Sequence, residues 1–180
     1  MVSLLTSLEF LELPEDRSAR LELQEGVLIT APRPPLGHQY AELELALQLR
    51  TQLPRDLIAL TELDVDLELG EPPTIRVPDV LVVPRTAARD GGLLRAASVL
   101  LAVEIMSPGS RRTDRVTKPS EYADAQIPNY WLVDLDDRPS LTAFHLAEPF
   151  GYQESPSATG RYTTTEPAEL TVDLDALLLD

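Results

Sequence analysis

Two acidic residues inside otherwise apolar stretches constrain this chain more than any other feature. Asp79 stands between Val77-Pro78 and Val80-Leu81-Val82-Val83, and Glu104 between Leu100-Leu101-Ala102-Val103 and Ile105-Met106. Residues 98–106 show no polar alternation and read as a strand buried on both faces. Such a strand needs a layer of structure on each side. An unpaired carboxylate in it costs several kcal/mol to desolvate, so each acid needs a cationic partner, a metal ion or water at a strand end. In the simpler resolution, Asp79 sits in a turn after Pro78 and Glu104 meets an arginine. In the other, the two acids share a metal.

The rest of the chain supplies the layers. Residues 7–13 read as a short helix with Thr6 or Ser7 as N-cap, Phe10 among its apolar positions and Pro14 as its stop. Residues 20–30 read as two strands around Glu25-Gly26, and 31–37, with three prolines, as irregular. A helix is expected over 38–53, with Ala41, Leu45 and Leu49 on one face and Pro54 beyond its end. Alternation within 57–69 and the apolar run 74–83 predict two strands joined at Gly70-Glu71-Pro72-Pro73. Residues 84–95 read as a loop or short helix, and Pro108-Gly109-Ser110 as a break. Thr117 is expected to cap a helix to about 126, with Pro119 in its first turn. Strands are expected at 129–135, at 140–146 and near Tyr162, a loop at 148–160, and a closing helix at 173–179. Strands and helices interleave, which places the chain in the α/β class with a mixed sheet.

A length of 180 residues fits one domain spanning 1–180. Cysteine is absent, which excludes disulfides, thiolate metal sites and cysteine nucleophiles. No apolar run approaches the roughly 20 residues of a membrane span, and residues 1–17 lack the basic segment and cleavage site of a signal peptide. A cytoplasmic protein without membrane partners is the expectation. The formal charge is −15, which argues against a non-specific nucleic-acid coat protein. Its distribution is uneven, with a net of +4 over residues 85–118 and −19 elsewhere. Of fifteen basic residues fourteen are arginine, and the one lysine is Lys118. A lone lysine marks a place where an amine serves and a guanidinium would not.

The order along the chain is carboxylate, carboxylate, turn and then a basic segment of Arg111, Arg112, Arg115 and Lys118. Asp79 and Glu104 with a backbone carbonyl, that of Ile105, make an oxygen-ligand site suited to Mg²⁺ or Mn²⁺. A metal there would lower the pKa of bound water and clamp a phosphoryl oxygen, and a nearby ammonium would steady the developing charge. The three arginines suit backbone phosphates rather than base edges. His38, at a helix start after a proline-rich loop, suits a structural role or contact with phosphate or a second metal. His145 reads as structural, Asp114 as a helix cap or a partner of Arg111 or Arg112, and Tyr130 and Trp131 as core aromatics. No Ser-His-acid set and no glycine-rich phosphate loop is present.

Seven segments in order carry a family resemblance. They are Phe10-Leu11-Glu12-Leu13-Pro14-Glu15-Asp16, Leu21-Glu22-Leu23-Gln24-Glu25-Gly26-Val27-Leu28, His38, Val77-Pro78-Asp79-Val80, Val103-Glu104-Ile105-Met106-Ser107-Pro108, Arg112-Thr113-Asp114-Arg115 with Lys118 and Tyr122-Ala123, and Ile127-Pro128-Asn129-Tyr130-Trp131-Leu132-Val133-Asp134. The chain resembles the PD-(D/E)XK, or restriction-endonuclease-like, superfamily, and within it the Uma-type branch of bacterial restriction endonucleases. The resemblance implies a mixed central sheet flanked by helices, with an N-terminal helix and hairpin. It implies a Mg²⁺-dependent endonuclease acting on DNA, with Asp79 and Glu104 as metal ligands, Lys118 as the catalytic lysine, Glu22 as an auxiliary acid, and pairing as a homodimer. Met106 stands where the superfamily places lysine, and Lys118 on the next helix takes that place. The alternative is a nuclease-fold module without useful catalysis, acting in nucleic-acid or protein binding. A third reading is a protein-binding α/β domain.

Overall fold

The computed structural model describes residues 4–14, 19–89, 92–107 and 109–179. Expectations touching Glu15, Asp16, Asp90 and Pro108 lie outside the described residues. Helix α1 (Ser7–Leu11) opens on a reciprocal cap: the Thr6 hydroxyl accepts from the Glu9 N–H, and the Glu9 carboxylate accepts from the Thr6 N–H. It stops two residues short of the expected end. Strands β1 (Ala19–Gln24) and β2 (Val27–Pro32) form the expected hairpin. Its two turn residues, Glu25 and Gly26, have φ of 47° and 76°, the turn that matches strand twist. At Gly26 a Cβ would meet Leu4 and Pro72 at 2.9 Å, so glycine is required twice over. Helix α2 (Leu36–Gln52) buries His38, Ala41, Glu42, Leu45 and Leu49 along one stripe.

The two long strands expected over 57–69 and 74–83 are each divided. β3 (Leu57–Thr61) and β4 (Val65–Asp66) are separated at Glu62, whose φ is 49°. β5 (Ile75–Arg76) and β6 (Val80–Pro84) are separated at Val77-Pro78-Asp79, where Pro78 has no N–H for a ladder. Helix α3 (Arg85–Arg89) and β7 (Leu94–Arg95) follow, and then β8 (Leu101–Ile105), buried at all five positions as expected.

The chain becomes helical earlier than Thr117. A π turn (Thr113–Thr117) runs directly into α4 (Lys118–Asp124), and Thr117 itself has helical dihedrals and no capping bond. Pro119 explains the wide turn: it cannot donate to the Arg115 carbonyl and its ring crowds that oxygen. The Lys118 N–H reaches back five residues to Thr113 instead. The C-terminal part is more extended than expected. After β9 (Asn129–Asp134) and β10 (Ser140–Leu146), the anticipated loop holds β11 (Tyr152–Glu154) and β12 (Ala158–Thr159). β13 (Arg161–Thr164) and β14 (Leu170–Asp173) form a hairpin, and the closing helix is only a 3₁₀ turn at Asp175–Leu177.

Among the described residues the central sheet runs β11-β10-β9-β8-β6-β3, with β12 beside β10. It is mixed, because β8 and β9 are parallel and the other pairs antiparallel. A second sheet runs β2-β1-β5-β4-β7. One face of the central sheet (Val80, Val82, Val103, Ile105, Trp131) packs on Ala41, Leu45 and Leu49 of α2. The other (Leu81, Val83, Ala102, Tyr130, Leu132) packs on Tyr122 of α4 and on Val65 and Leu67. That is the two-layer cover that the apolar β8 demanded. Among the described residues no helix is long and apolar enough to cross a membrane.

Candidate active site

Strand register brings the acids together. The last pair between β6 and β8 is Val80 with Val103, so Asp79 and Glu104 stand one step beyond it, at the same end of two adjacent strands. β1 meets β5 at Leu23 and Ile75, which sets Glu22 beside Arg76 one residue further. From the helical side, Asp114, Lys118 and Tyr122 recur at four-residue spacing, and all three are buried.

Two adjoining groups result. In the first, the Lys118 Nζ lies 2.9 Å from Glu104 Oε2, 3.3 Å from Glu22 Oε1 and 3.5 Å from Asp114 Oδ1. The Tyr122 hydroxyl donates to Glu104 Oε1 at 2.7 Å. Arg76 reaches Glu22 at 2.9 Å and grips Glu121 with two bonds of 2.7 Å. In the second group, Asp79 Oδ2 accepts from the Ile105 N–H at 2.6 Å and Oδ1 from Arg20 at 2.7 Å. His38 donates through Nε2 to the Ile105 carbonyl at 2.8 Å and lies 3.4 Å from Asp79 Oδ2. One ligand atom each from His38, Glu42 and Asp79 lies within 4.8 Å of the others. Ile105 joins the groups, since its N–H serves Asp79 and its side chain follows Glu104 on β8.

The electrostatics follow from burial and excess acid. Burial pushes the Glu104 carboxyl up to about 8, against the pull of Lys118. Burial also opposes the charge on Lys118, yet Glu104, Glu22 and Asp114 hold its ammonium well above the ordinary lysine range. Glu22 and Asp79 are buried as well, but Lys118 with Arg76, and His38 with Arg20, keep them below the usual carboxylate range. Burial, with Glu62 and Asp79 nearby, lifts Glu42 to about 7. Carboxylates thus outnumber the cations Arg20, Arg76 and Lys118 in this interior, and the deficit is one a divalent ion would fill.

The structure therefore gathers Asp79, Glu104, Lys118, Glu22, His38 and the Ile105 carbonyl in one region. It places the three expected phosphate arginines differently from one another. Arg111 pairs with Asp136 and lies 3.7 Å from Asp134, which Arg115 also approaches at 3.7 Å, whereas Arg112 is exposed without an ion pair among the described residues. Asp114 pairs with Lys118 rather than with Arg111 or Arg112. His145 bonds Asn129 at 2.9 Å, and Tyr130 and Trp131 are fully buried, as read from the sequence. Sequence reasoning passed over Arg20, Arg76 and Glu42, and gave Tyr122 no role beyond its place in a segment that carries the resemblance. Arg76 carried a usable signal, being a charge inside an apolar strand like Asp79 itself.

Residues 8–176 match the Uma2 family, described as "Putative restriction endonuclease". No curated protein matches the chain. Among solved structures, the crystal structure of a "putative nuclease belonging to DUF820" from Anabaena variabilis ATCC 29413 is similar. It shares 23% identity over 96% of this chain and 97% of that one, with a TM-score of 0.73. The mixed α/β, restriction-endonuclease-like fold expected from the sequence is thereby borne out.

Proposed function

The chain belongs to the Uma2 family, and from that premise we propose that it is a divalent-metal-dependent endonuclease hydrolysing phosphodiester bonds of DNA. One observation carries the reading: the sole lysine of the chain lies 2.9 Å from Glu104 and 3.3 Å from Glu22. Asp79, Glu104 and the Ile105 carbonyl would hold Mg²⁺ or Mn²⁺, because they offer hard oxygen donors and unbalanced negative charge. Such an ion supplies polarisation of the scissile phosphate and acidification of a water.

The protein's own groups divide the remaining work. Lys118 keeps its proton across any working pH, so it serves as a positive charge beside the attacking oxygen and the phosphorus, not as a base. Glu22 stays ionised and can accept a hydrogen bond from the attacking water, orienting it. Tyr122 fixes one oxygen of Glu104 and leaves the other toward Lys118. Arg112 is the first candidate to touch a backbone phosphate, and Arg111 and Arg115 can join it only by giving up Asp134 and Asp136. Met106 is buried at 7% exposure and takes no part.

A plasmid-nicking and single-strand assay with Mg²⁺ or Mn²⁺ tests the proposal. Cleavage should cease with chelator, and Lys118→Ala should slow it roughly 100-fold or more. Intact DNA under every metal and concentration would overturn it for these substrates. The second reading, a nuclease fold without catalysis, is favoured by Arg20, whose guanidinium sits 2.7 Å from Asp79 where a cation is needed. Calorimetry separates the two. An enzyme binds metal and loses it in both Asp79→Asn and Glu104→Gln, while a bare scaffold binds none.

A further inference from the structure

We propose that two copies of this chain associate through the outer face of α2, packed antiparallel about a two-fold axis. Helix α2 is apolar on two opposite sides. One side, with Ala41, Leu45 and Leu49, is the stripe packed on the central sheet. The other carries Leu36, Tyr40, Leu43 and Leu47, which recur at spacings of four, three and four. At about 100° per residue, Leu36, Leu43 and Leu47 fall within about 20° of the direction opposite Leu45. These leucines are 70%, 59% and 45% exposed, and Tyr40 is half-buried. None of the four joins a core cluster among the described residues. A helix apolar all round is one that neighbours cover on both sides.

The spacing suits a helix as the neighbour, since it is that of a seam between two helices crossing at about 20°. α2 supplies the matching half, being the longest helix described, with 17 residues. Charge narrows the choice further. At −15 the chain is repelled by phosphate and by anionic lipid headgroups, and a second copy can approach only where charge is absent. The stripe is such a place, with no charged side chain from Leu36 to Leu47. Of the acids on α2, Glu42 is buried and Glu44 already accepts from Gln48 at 3.0 Å, so a cationic partner finds little to engage. Arg50 is next on the stripe and exposed, and parallel pairing would set the two Arg50 side chains together. Antiparallel pairing sets Leu36 against the partner's Leu47 and Tyr40 against the partner's Leu43, with the helix dipoles opposed. A strip about 25 Å long and about 10 Å wide is smaller than the roughly 800 Å² per partner of a standard interface. The dimer is therefore reversible, with a Kd on the order of 10 μM or weaker. No residue of the stripe belongs to the catalytic constellation, so the inference stands whether or not the chain cleaves DNA.

Sedimentation velocity over a concentration series spanning that Kd tests it. Wild type should pass from monomer to dimer. Added salt should not weaken the dimer, because screening relieves the repulsion between two acidic chains. The double variant Leu43→Glu/Leu47→Glu should stay monomeric throughout. Both positions are exposed and glutamate is a good helix former, so its circular-dichroism melt should match wild type. Val27→Lys, on the exposed edge strand β2, should leave the dimer intact. The chain has no cysteine, so Arg50→Cys gives a single spin-label site. The two labels should stand about 25 Å apart along the axis, against about 10 Å for parallel helices. A monomeric wild type at every concentration would overturn the proposal, and its co-sedimentation with phosphatidylcholine vesicles would give the face to lipid instead. A dimer that survives the double variant, or is lost in Val27→Lys alone, would also overturn it, as would labels near 10 Å. Should the double variant fail to fold, the label separation decides.

Discussion

Lys118 faces three carboxylates at 2.9, 3.3 and 3.5 Å in the interior, so its ammonium holds structure together, apart from the catalytic role proposed for it. Removing one partner of a buried ionic cluster costs about 3–5 kcal/mol. Lys118→Met should therefore lower the stability of the metal-free protein by about that amount in denaturant titration, and added Mn²⁺ should recover part of the loss. Glu104 makes a pH prediction of opposite kind to the usual acid. Its carboxyl is raised by burial to about 8 from an ordinary 4.5, so the folded metal-free protein keeps a proton that the unfolded chain releases. The contribution is fully present below pH 4.5 and is lost as pH rises toward 8. Glu104→Gln should flatten that part of the melting-temperature profile, and an unchanged slope would count against the assignment. At this scale Asp79, Glu104 and Lys118 were legible because each breaks a pattern, whereas Glu22 came only with the family resemblance. Arg20 and Tyr122 break none, since an arginine or tyrosine on a half-buried element is ordinary.

Among the elements, the turn ahead of α4 bears most directly on the proposed chemistry. The π turn (Thr113–Thr117) exists because Pro119 denies a bond to Arg115, and it sets how far Lys118 is carried toward Glu104. Pro119→Ala frees the turn to tighten. Because a misplacement near 1 Å costs on the order of 100-fold, cleavage should fall about 10- to 100-fold while the melting temperature holds or rises. The β1–β2 hairpin has a purely structural counterpart. Gly26→Ala puts a Cβ 2.9 Å from Leu4 and Pro72 at a φ of 76°, and should destabilise by more than about 1 kcal/mol in thermal melts. The helix boundary is where sequence reasoning fell shortest. Pro119 does lie in the first turn of α4, as read, but the π turn ahead of it was not expected, and missing it hid the Asp114–Lys118 pair, which four-residue spacing would otherwise have displayed. The divided strands failed for a related reason, as apolar runs do not reveal where a chain changes sheets.

For the whole molecule, the charge of −15 limits how the chain can meet DNA. Its basic excess lies within residues 85–118, and two of the arginines there are already engaged with Asp134 and Asp136. With at most Arg111, Arg112 and Arg115 on phosphates, the logarithmic salt slope of DNA affinity should be no steeper than about −3. A slope near −8 in a filter-binding series run with Ca²⁺ would mean a larger basic surface than the fold presents.

The α/β class, the double cover of β8 and the candidacy of Asp79, Glu104 and Lys118 follow from local pattern. Periodicity, apolar runs and an out-of-place charge are properties of neighbouring residues, and a chain displays them before it folds. The partnership of Asp79 with Arg20 and His38, of Glu22 with Arg76, and of Lys118 with three acids at once joins residues from β1, β5, α2 and α4. Those pairings depend on register and on the direction in which a helix crosses a sheet. They are long-range packing choices, and nothing in a single sequence encodes them one residue at a time.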